Sequence, residues 1–558
     1  MQGKSLEVLR IEGIKRALEE DEDVLLERAA KRLDVAADEI AELTLLKRSL
    51  DARGKPNFLY HVEVVLDGAR KLEKLPAGVQ RAPAPGSLTP RKFKIREATR
   101  DERVVVIGAG PSGLFCAHRL AESGLRPILL DRGQPVETRG RHVSRLMHHG
   151  ELDPESNICF GEGGAGTWSD GKLYTRVKDI RVRHILETIV KLGGPERILL
   201  DAKPHLGTDK LVALCKAFRA ELVQMGCEVR FGARVEDILT RDVHGEQTVC
   251  GVKLSDGEVI DADRVVLAVG HSAREMYMWL AEKGVAMERK PFAMGFRVEH
   301  PQQLINTIQY GKWADNGKLP TADYRLTANF KEHGKHRGVY SFCMCPGGQV
   351  VPSATLPGHV CVNGMSHASR RGHWANSALV VSVDTHEFDG FGDEELATAH
   401  GGVLAGMAMQ EEAERRAYEL GGGGFIAPSQ RLTDFKQGVQ TTDLRKTTYK
   451  PGIAPGDLSK CYPEFIISAL RRALEPFEKK MRGFLTEDAI LIGVETRTSA
   501  PVRILRDEER LRSVSLAGLY PCGEGSGYGG GIVSAALDGL KIAECILEEV
   551  AEEIEHVA

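Results

Sequence analysis

The sequence predicts an α/β fold, and three observations predict it. Val104-Val-Val-Ile107 is an apolar, β-branched run that ends in Gly108-Ala-Gly110-Pro-Ser-Gly113. Such a run reads as a buried strand that turns through glycines into a helix, here Leu114 to Ser123. Pro127-Ile-Leu-Leu-Asp131 repeats the apolar strand and places a carboxylate 18 residues after Gly113. Far along the chain, Gly523-Glu-Gly-Ser-Gly-Tyr-Gly-Gly-Gly531 opens a second apolar helical run, Ser534 to Val550.

Taken in order, the chain begins with a small α+β domain over residues 1–75. Leu6 to Ile11 reads as a strand, Glu22 to Leu33 as a helix, and Ala36 to Leu50 as helical or mixed. Phe58 to Leu66 is a strand by its alternation and its β-branched and aromatic content. The acidic run Glu19 to Asp23 reads as a solvated turn, with partner docking as the other reading. Prolines at 76, 83, 85 and 90 mark residues 76–99 as a linker, where the basic stretch Arg91 to Arg96 solvates the linker or flanks a strand.

The first glycine turn has a chemistry of its own. Gly108 permits the tight turn, Gly110 leaves the backbone open to a pyrophosphate, and Gly113 lets helix and strand pack closely. The phosphates would then face free N–H groups and the positive end of a helix dipole, while Asp131 accepts hydrogen bonds from a ribose. The pattern is that of a dinucleotide site.

Four further segments suggest which dinucleotide. The Gly523–Gly531 loop with its following helix resembles the tail of the glutathione-reductase-type FAD proteins, in which an acidic residue meets the ribityl chain. Glu524 stands where that family usually has Asp, and Gly530, Gly531 and Ile532 match the helix start that points at the flavin pyrimidine. Val265 to Gly270 resembles the strand and glycine that close the FAD half, and Gly226 to Val235 the strand that contacts adenine through the position of Val235. Asn157 to Leu173 lies where related flavoproteins run backbone along the isoalloxazine, and its glycines permit close approach; a mobile surface loop is the competing reading.

The whole resembles a group of bacterial FAD-dependent dehydrogenase-like proteins. That likeness rests also on Gly338 to Gly348, Asn363-Gly-Met-Ser, Arg371, Asn376 to Val383 and Val494 to Arg503. It implies a Rossmann-like FAD-binding domain in two parts, residues 100–275 and 485–558. Between them lies an inserted α+β substrate-facing domain, 276–484. The resemblance places the cofactor against Gly108, Gly110, Pro111, Ser112, Gly113, Asp131 and Arg132, then Gly163, Gly164, Ala165, Gly166 and Thr167, then Val235 and Gly270, and finally Gly523, Glu524, Gly530, Gly531 and Ile532.

Composition narrows the classes. The chain has 558 residues, 42% hydrophobic and 28% charged, which are values for a globular protein of two to four domains. No apolar run approaches the roughly 18 residues of a membrane span, and Met1 to Glu7 lacks a secretion-signal core, so a cytoplasmic protein is expected. Eleven cysteines, an odd number, fit reduced thiols better than a disulfide framework. A net charge of −4 gives no general reason to bind nucleic acid, and no metal site is expected.

Catalytic groups are harder to read. Cys343-Met-Cys345 offers two thiols for electron relay but lacks the CxxC spacing, and small buried packing residues are the plainer reading. Cys159 is a lone thiol beside the glycine loop. His271, Arg274, Arg297, His367, Arg371, Asn376, Arg497 and Ser499 are polar candidates to orient a substrate. Arg497 leads them as a carboxylate clamp, with a structural salt bridge as its equal. Gly421 to Gly424 follows a helical run and reads as a helix stop, so only one nucleotide fingerprint is found and NAD(P)H as external reductant is left open. The expectation is an FAD-dependent oxidoreductase of unassigned substrate, exchanging hydride or electrons through flavin N5. The alternatives are an FAD-bound sensor or assembly protein, and a flavin enzyme acting on a macromolecule such as RNA.

Overall fold

A computed structural model describes residues 7–67, 72–82, 102–332 and 335–557. Its N-terminal part is a four-stranded antiparallel sheet in the order Ile40–Asp51, Asn57–Leu66, Glu7–Ala17, Val79–Arg81. Alternate residues Leu9, Ile11, Tyr60, Val62 and Val64 form one buried face, against which helix Val24–Leu33 lays Leu25, Ala29 and Leu33. The acidic run Glu19 to Asp23 is a turn.

Two expectations fail here. Of Ala36 to Leu50, expected as helical or mixed, only Ala37–Glu39 is helical, a single 3-10 turn; Ile40–Asp51 is a strand that pairs along its length with Asn57–Leu66, and cross-strand packing overrides the helix propensity of its Glu, Leu and Lys residues. Val79–Arg81, expected in the linker, pairs with Leu9 to Ile11 because Val79 completes the buried face. The basic stretch Arg91 to Arg96 and the prolines at 83, 85 and 90 lie outside the described residues.

The central sheet has five parallel strands in the order Leu519–Pro521, Arg264–Leu267, Val104–Ile107, Ile128–Asp131, Glu228–Phe231. Every residue from Val104 to Ile107 and from Arg264 to Leu267 is buried, as a parallel sheet covered on both faces requires. One face carries helices Pro111–Glu122 and Ile532–Val557, which touch so closely that a Cβ at Gly539 would lie 2.0 Å from the Ser112 carbonyl oxygen. The other carries a three-stranded antiparallel layer of Val235–Val243, Glu246–Leu254 and Val259–Asp261.

A seven-stranded sheet forms the second large body, in the order Thr327–Glu332, Lys335–Cys345, Trp374–Val383, Phe292–Pro301, Ile490–Glu495, Ala427–Arg431, Ile453–Pro455. Helix Glu464–Lys480 buries Ile466, Ile467, Leu470 and Phe477 in its core. Ile490–Glu495 belongs to this sheet, paired with Phe292–Pro301 and Ala427–Arg431. The second body therefore runs past residue 484, where the sequence reading ended it, since six consecutive buried residues find partners on both sides only there. Gly422, at φ 86°, caps helix Ala405–Gly421, so Gly421 to Gly424 is a helix stop. No helix among the described residues is long and apolar enough to cross a membrane.

Candidate functional site

The two distant glycine segments meet at one cleft. Gly108 takes φ 106°, and a Cβ there would lie 2.3 Å from the Ala268 carbonyl oxygen, so the turn tolerates only glycine. A Cβ at Gly113 would come within 1.9 Å of the Gly108 oxygen. At Gly110 the nearest atom would be 3.8 Å away, and the space belongs to the cleft. Pro111 starts the helix, which suits a position whose N–H would have no intrahelical partner. Asp131 accepts from Ala109 N–H at 2.7 Å and from Gly133 N–H at 2.8 Å, one bond to each oxygen. Each oxygen keeps acceptor capacity, and Asp131 lines the cleft. Beside it Arg132 lies 4.2 Å over the Phe160 ring and pairs with Glu155 and Glu275.

The loop Asn157 to Gly166 forms the next wall, and its shape has a single organiser. The fully buried Arg139 guanidinium donates to five carbonyl oxygens, those of Asn157, Ile158, Gly161, Glu162 and Gly164, at 2.5 to 3.1 Å. Its carbon also stands 4.5 Å from the Trp168 ring centroid. Burial pulls this guanidinium down to about 10. Sequence reasoning missed Arg139; an arginine in an otherwise core-facing helical position was the available signal.

The C-terminal segment closes the cleft from below. Asp538 accepts from Gly523 N–H at 2.7 Å and pairs with Arg506, tying the loop to helix Ile532–Val557. Gly530 has nothing within 4 Å of a Cβ and, with Gly531 and Ile532, lines the cleft at the helix N-terminus. Glu524 also lines it. Burial pushes its carboxyl up to about 7, with Lys290 opposing.

The far wall carries residues not foreseen as site residues: Lys172 from the segment after the glycine loop, Asn363 on strand Val362–Met365, and Glu495 at the end of Ile490–Glu495 in the seven-stranded sheet. Arg297, fully buried, holds Glu495 through two bonds of 2.6 and 2.7 Å and donates to Asn376 and Asn363. Asp170 pairs with Lys172 at 2.8 Å and with Arg370. Burial works against the Lys172 charge, but Cys343 and Asp170 more than offset it and hold its ammonium above the ordinary range.

Most of the expected cofactor residues line this cleft, including Gly164, Ala165, Gly166, Val235 and Gly270. Gly113, Gly163, Thr167 and Gly523 stand behind its wall instead. Gly163 donates to the Ala109 carbonyl, Thr167 to that of Glu162, and a Cβ at Gly523 would strike Ser112. Arg497 lines the cleft, yet its fork is engaged: Nε and Nη2 hold Glu414 at 2.9 and 2.7 Å, and Nη1 meets Thr355 and Ser272. Glu414 also binds Arg274, so Arg497 is a buried structural pair rather than a free carboxylate clamp. Burial and the neighbouring Arg497 and Arg274 pull His271 down to about 4, so its imidazole is neutral at pH 7. Cys343 lines the cleft while Cys345 is buried behind it, and Cys159 Sγ lies 3.5 Å from the Ser353 oxygen. His367 is exposed beside Asp209. No cluster of metal-ligating side chains occurs among the described residues.

A parallel sheet whose glycine turn, acid-ended second strand and returning C-terminal helix enclose one cleft defines a dinucleotide-binding protein of Rossmann-like architecture. Residues 103–200 match the family described as FAD dependent oxidoreductase, and residues 291–498 match FAD-dependent protein, C-terminal domain-like. A Clostridium beijerinckii protein described as uncharacterised is 39% identical over 97% of this chain and 99% of its own. The chain belongs to this family of FAD-dependent oxidoreductases, and FAD is its cofactor. A thiamine thiazole synthase of Methanococcus maripaludis is 24% identical over 42% of the chain and 72% of its own length. The structure of the halogenase PltM with FAD aligns over 81% of this chain and 70% of that one at 12% identity, with a TM-score of 0.37. Residues 9–66 match a domain of unknown function.

Proposed function

We propose that FAD lies along this cleft, its phosphates at the Gly108–Gly113 turn, its adenosine ribose at Asp131 and its adenine beside Val235. Glu524 and the helix start at Gly530 to Ile532 would hold the ribityl chain and the pyrimidine end, with Gly164 to Gly166 along the ring. The single observation that carries this reading is the convergence of the two glycine segments on one cleft, open at both Gly110 and Gly530. The order of the motifs is that of the glutathione-reductase type. When bound, the cofactor supplies two-electron redox chemistry at N5.

The chain's own groups then orient and insulate. Free N–H groups at the start of helix Pro111–Glu122 would neutralise the pyrophosphate. Arg139 fixes the loop that meets the ring, and Lys172, Asn363 and Glu495 shape the substrate space, Asn363 and Glu495 from the second body and Lys172 from the segment after the glycine loop. His271, held neutral and bonded to Ser272 at 2.9 Å, gives the wall an uncharged polar ring that resists protonation. The thiols, all free among the described residues, accord with a reducing, cytoplasmic setting.

The test is to purify the protein, identify its flavin, and follow bleaching of the band at about 450 nm under anaerobic conditions with NADH, NADPH and candidate donors. One FAD per chain that bleaches with a donor is expected. Protein that neither retains nor rebinds FAD would refute the assignment of the cleft.

A further inference from the structure

The cleft wall carries a cluster for which cofactor binding gives no role. Cys343 and Cys345 flank Met344 at the end of strand Lys335–Cys345, where pairing with Trp374–Val383 shifts register between Phe342 and Cys345. Cys343 takes φ 44°, a left-handed conformation that is costly for a residue with a Cβ and that clusters at functional sites. In this conformation Cys343 lines the cleft, and Cys345 is fully buried behind it. The two thiols sit two residues apart at one strand end, and Cys345 Sγ is 3.3 Å from the Cys343 carbonyl oxygen.

Charged groups from other elements face the pair. Arg297, on strand Phe292–Pro301, donates to the Cys343 oxygen at 3.3 Å, and Lys172 Nζ donates to the Met344 oxygen. The acids there are Asp170 on Lys172, Glu495 on Arg297, and Glu524 from the C-terminal segment. The Cys345 thiol is the largest influence holding Cys343 below the ordinary thiol range; burial opposes it, and Lys172 and Arg297 add to it. The same partnership, with burial, pushes Cys345 up. Within the pair Cys343 is the more acidic thiol.

We propose that Cys343 and Cys345 form a second redox centre that exchanges two electrons with the flavin by cycling between a thiolate–thiol pair and a disulfide. The proposal rests on the reading of the cleft as the FAD site. In the oxidising direction the Sγ–Sγ bond forms and the Cys345 S–H bond breaks. The electron pair and that proton pass to oxidised flavin, and the thiolate's negative charge leaves as that of the anionic reduced flavin. In reverse, reduced flavin opens the disulfide and regenerates the Cys343 thiolate at the cleft wall, ready for a soft electrophile or a disulfide.

The experiment is an anaerobic dithionite titration of the air-oxidised, FAD-loaded protein. Wild type is expected to take about twice the reductant per flavin that C343S or C345S takes, because the pair is a two-electron couple like the flavin. Thiols counted with Ellman's reagent after denaturation should rise by two on reduction in wild type alone, a readout that needs no variant to fold. In reduced protein, C345A, which removes the neighbouring donor, should also move the pH profile of Cys343 alkylation upward, which a packing role would not do. Equal reductant and an unchanged thiol count, with a flavin that binds and bleaches, would overturn the proposal and leave the cofactor site standing. Protein that binds no FAD would overturn both.

Discussion

Arg139→Leu is the sharpest probe of how the cofactor loop is held. The substitution removes five hydrogen bonds of 2.5 to 3.1 Å from one guanidinium to the loop's carbonyls. Each buried carbonyl left without that partner costs at least about 1 kcal/mol, roughly 5 kcal/mol together. Against this stands relief from burying a cation that bonds to no carboxylate. Burial pulls the group down to about 10, a depression worth roughly 3 kcal/mol. The difference of about 2 kcal/mol is a lower bound, because leucine also leaves part of the guanidinium's space empty. If that loss falls on the loop's geometry, FAD binding weakens about 30-fold. Titrating flavin-free protein with FAD and following fluorescence quenching measures it. Arg139→Lys, which keeps the charge but not the planar fork, should fall between the two. A dissociation constant for Arg139→Leu within about threefold of wild type would refute the argument that this residue shapes the site.

Three further outcomes are expected. Gly113→Ala puts a Cβ 1.9 Å from the Gly108 oxygen, so the turn must open at a cost of about 1–3 kcal/mol or more; the purified variant should have a lower flavin-to-protein absorbance ratio, and full occupancy would count against the close packing. Glu414→Gln leaves the buried Arg497 with no carboxylate and strips Arg274 of its main one, so urea unfolding should begin earlier by about 3 kcal/mol. Glu524 is raised to about 7 from 4.5 by burial, so the folded flavin-free protein binds more protons than the unfolded chain between those values. Stability therefore falls as pH rises through that window, and Glu524→Gln should flatten the fall; an unchanged slope in pH-dependent melting would contradict the carboxyl's burial.

The cofactor half was legible because its constraints are local. A turn at φ 106° with a carbonyl 2.3 Å from any Cβ admits only glycine at 108, and an acid at the end of the next parallel strand meets that turn by sheet geometry alone. Such requirements leave fixed residues at fixed spacings. The strand Ile40–Asp51 was not legible, because its leucines and charges suit a helix until Asn57–Leu66 offers a partner.

Sequence alone therefore determined the glycine turn, the class of cofactor and the two chain segments that meet at one cleft. The tertiary structure decided what each polar side chain does there. Arg497 and Arg297 look equally available in sequence, yet one is spent on Glu414 and the other on Glu495, partners 83 and 198 residues away along the chain. A buried charge takes whichever opposite charge the fold brings to it, and that is a long-range property which no local spacing records.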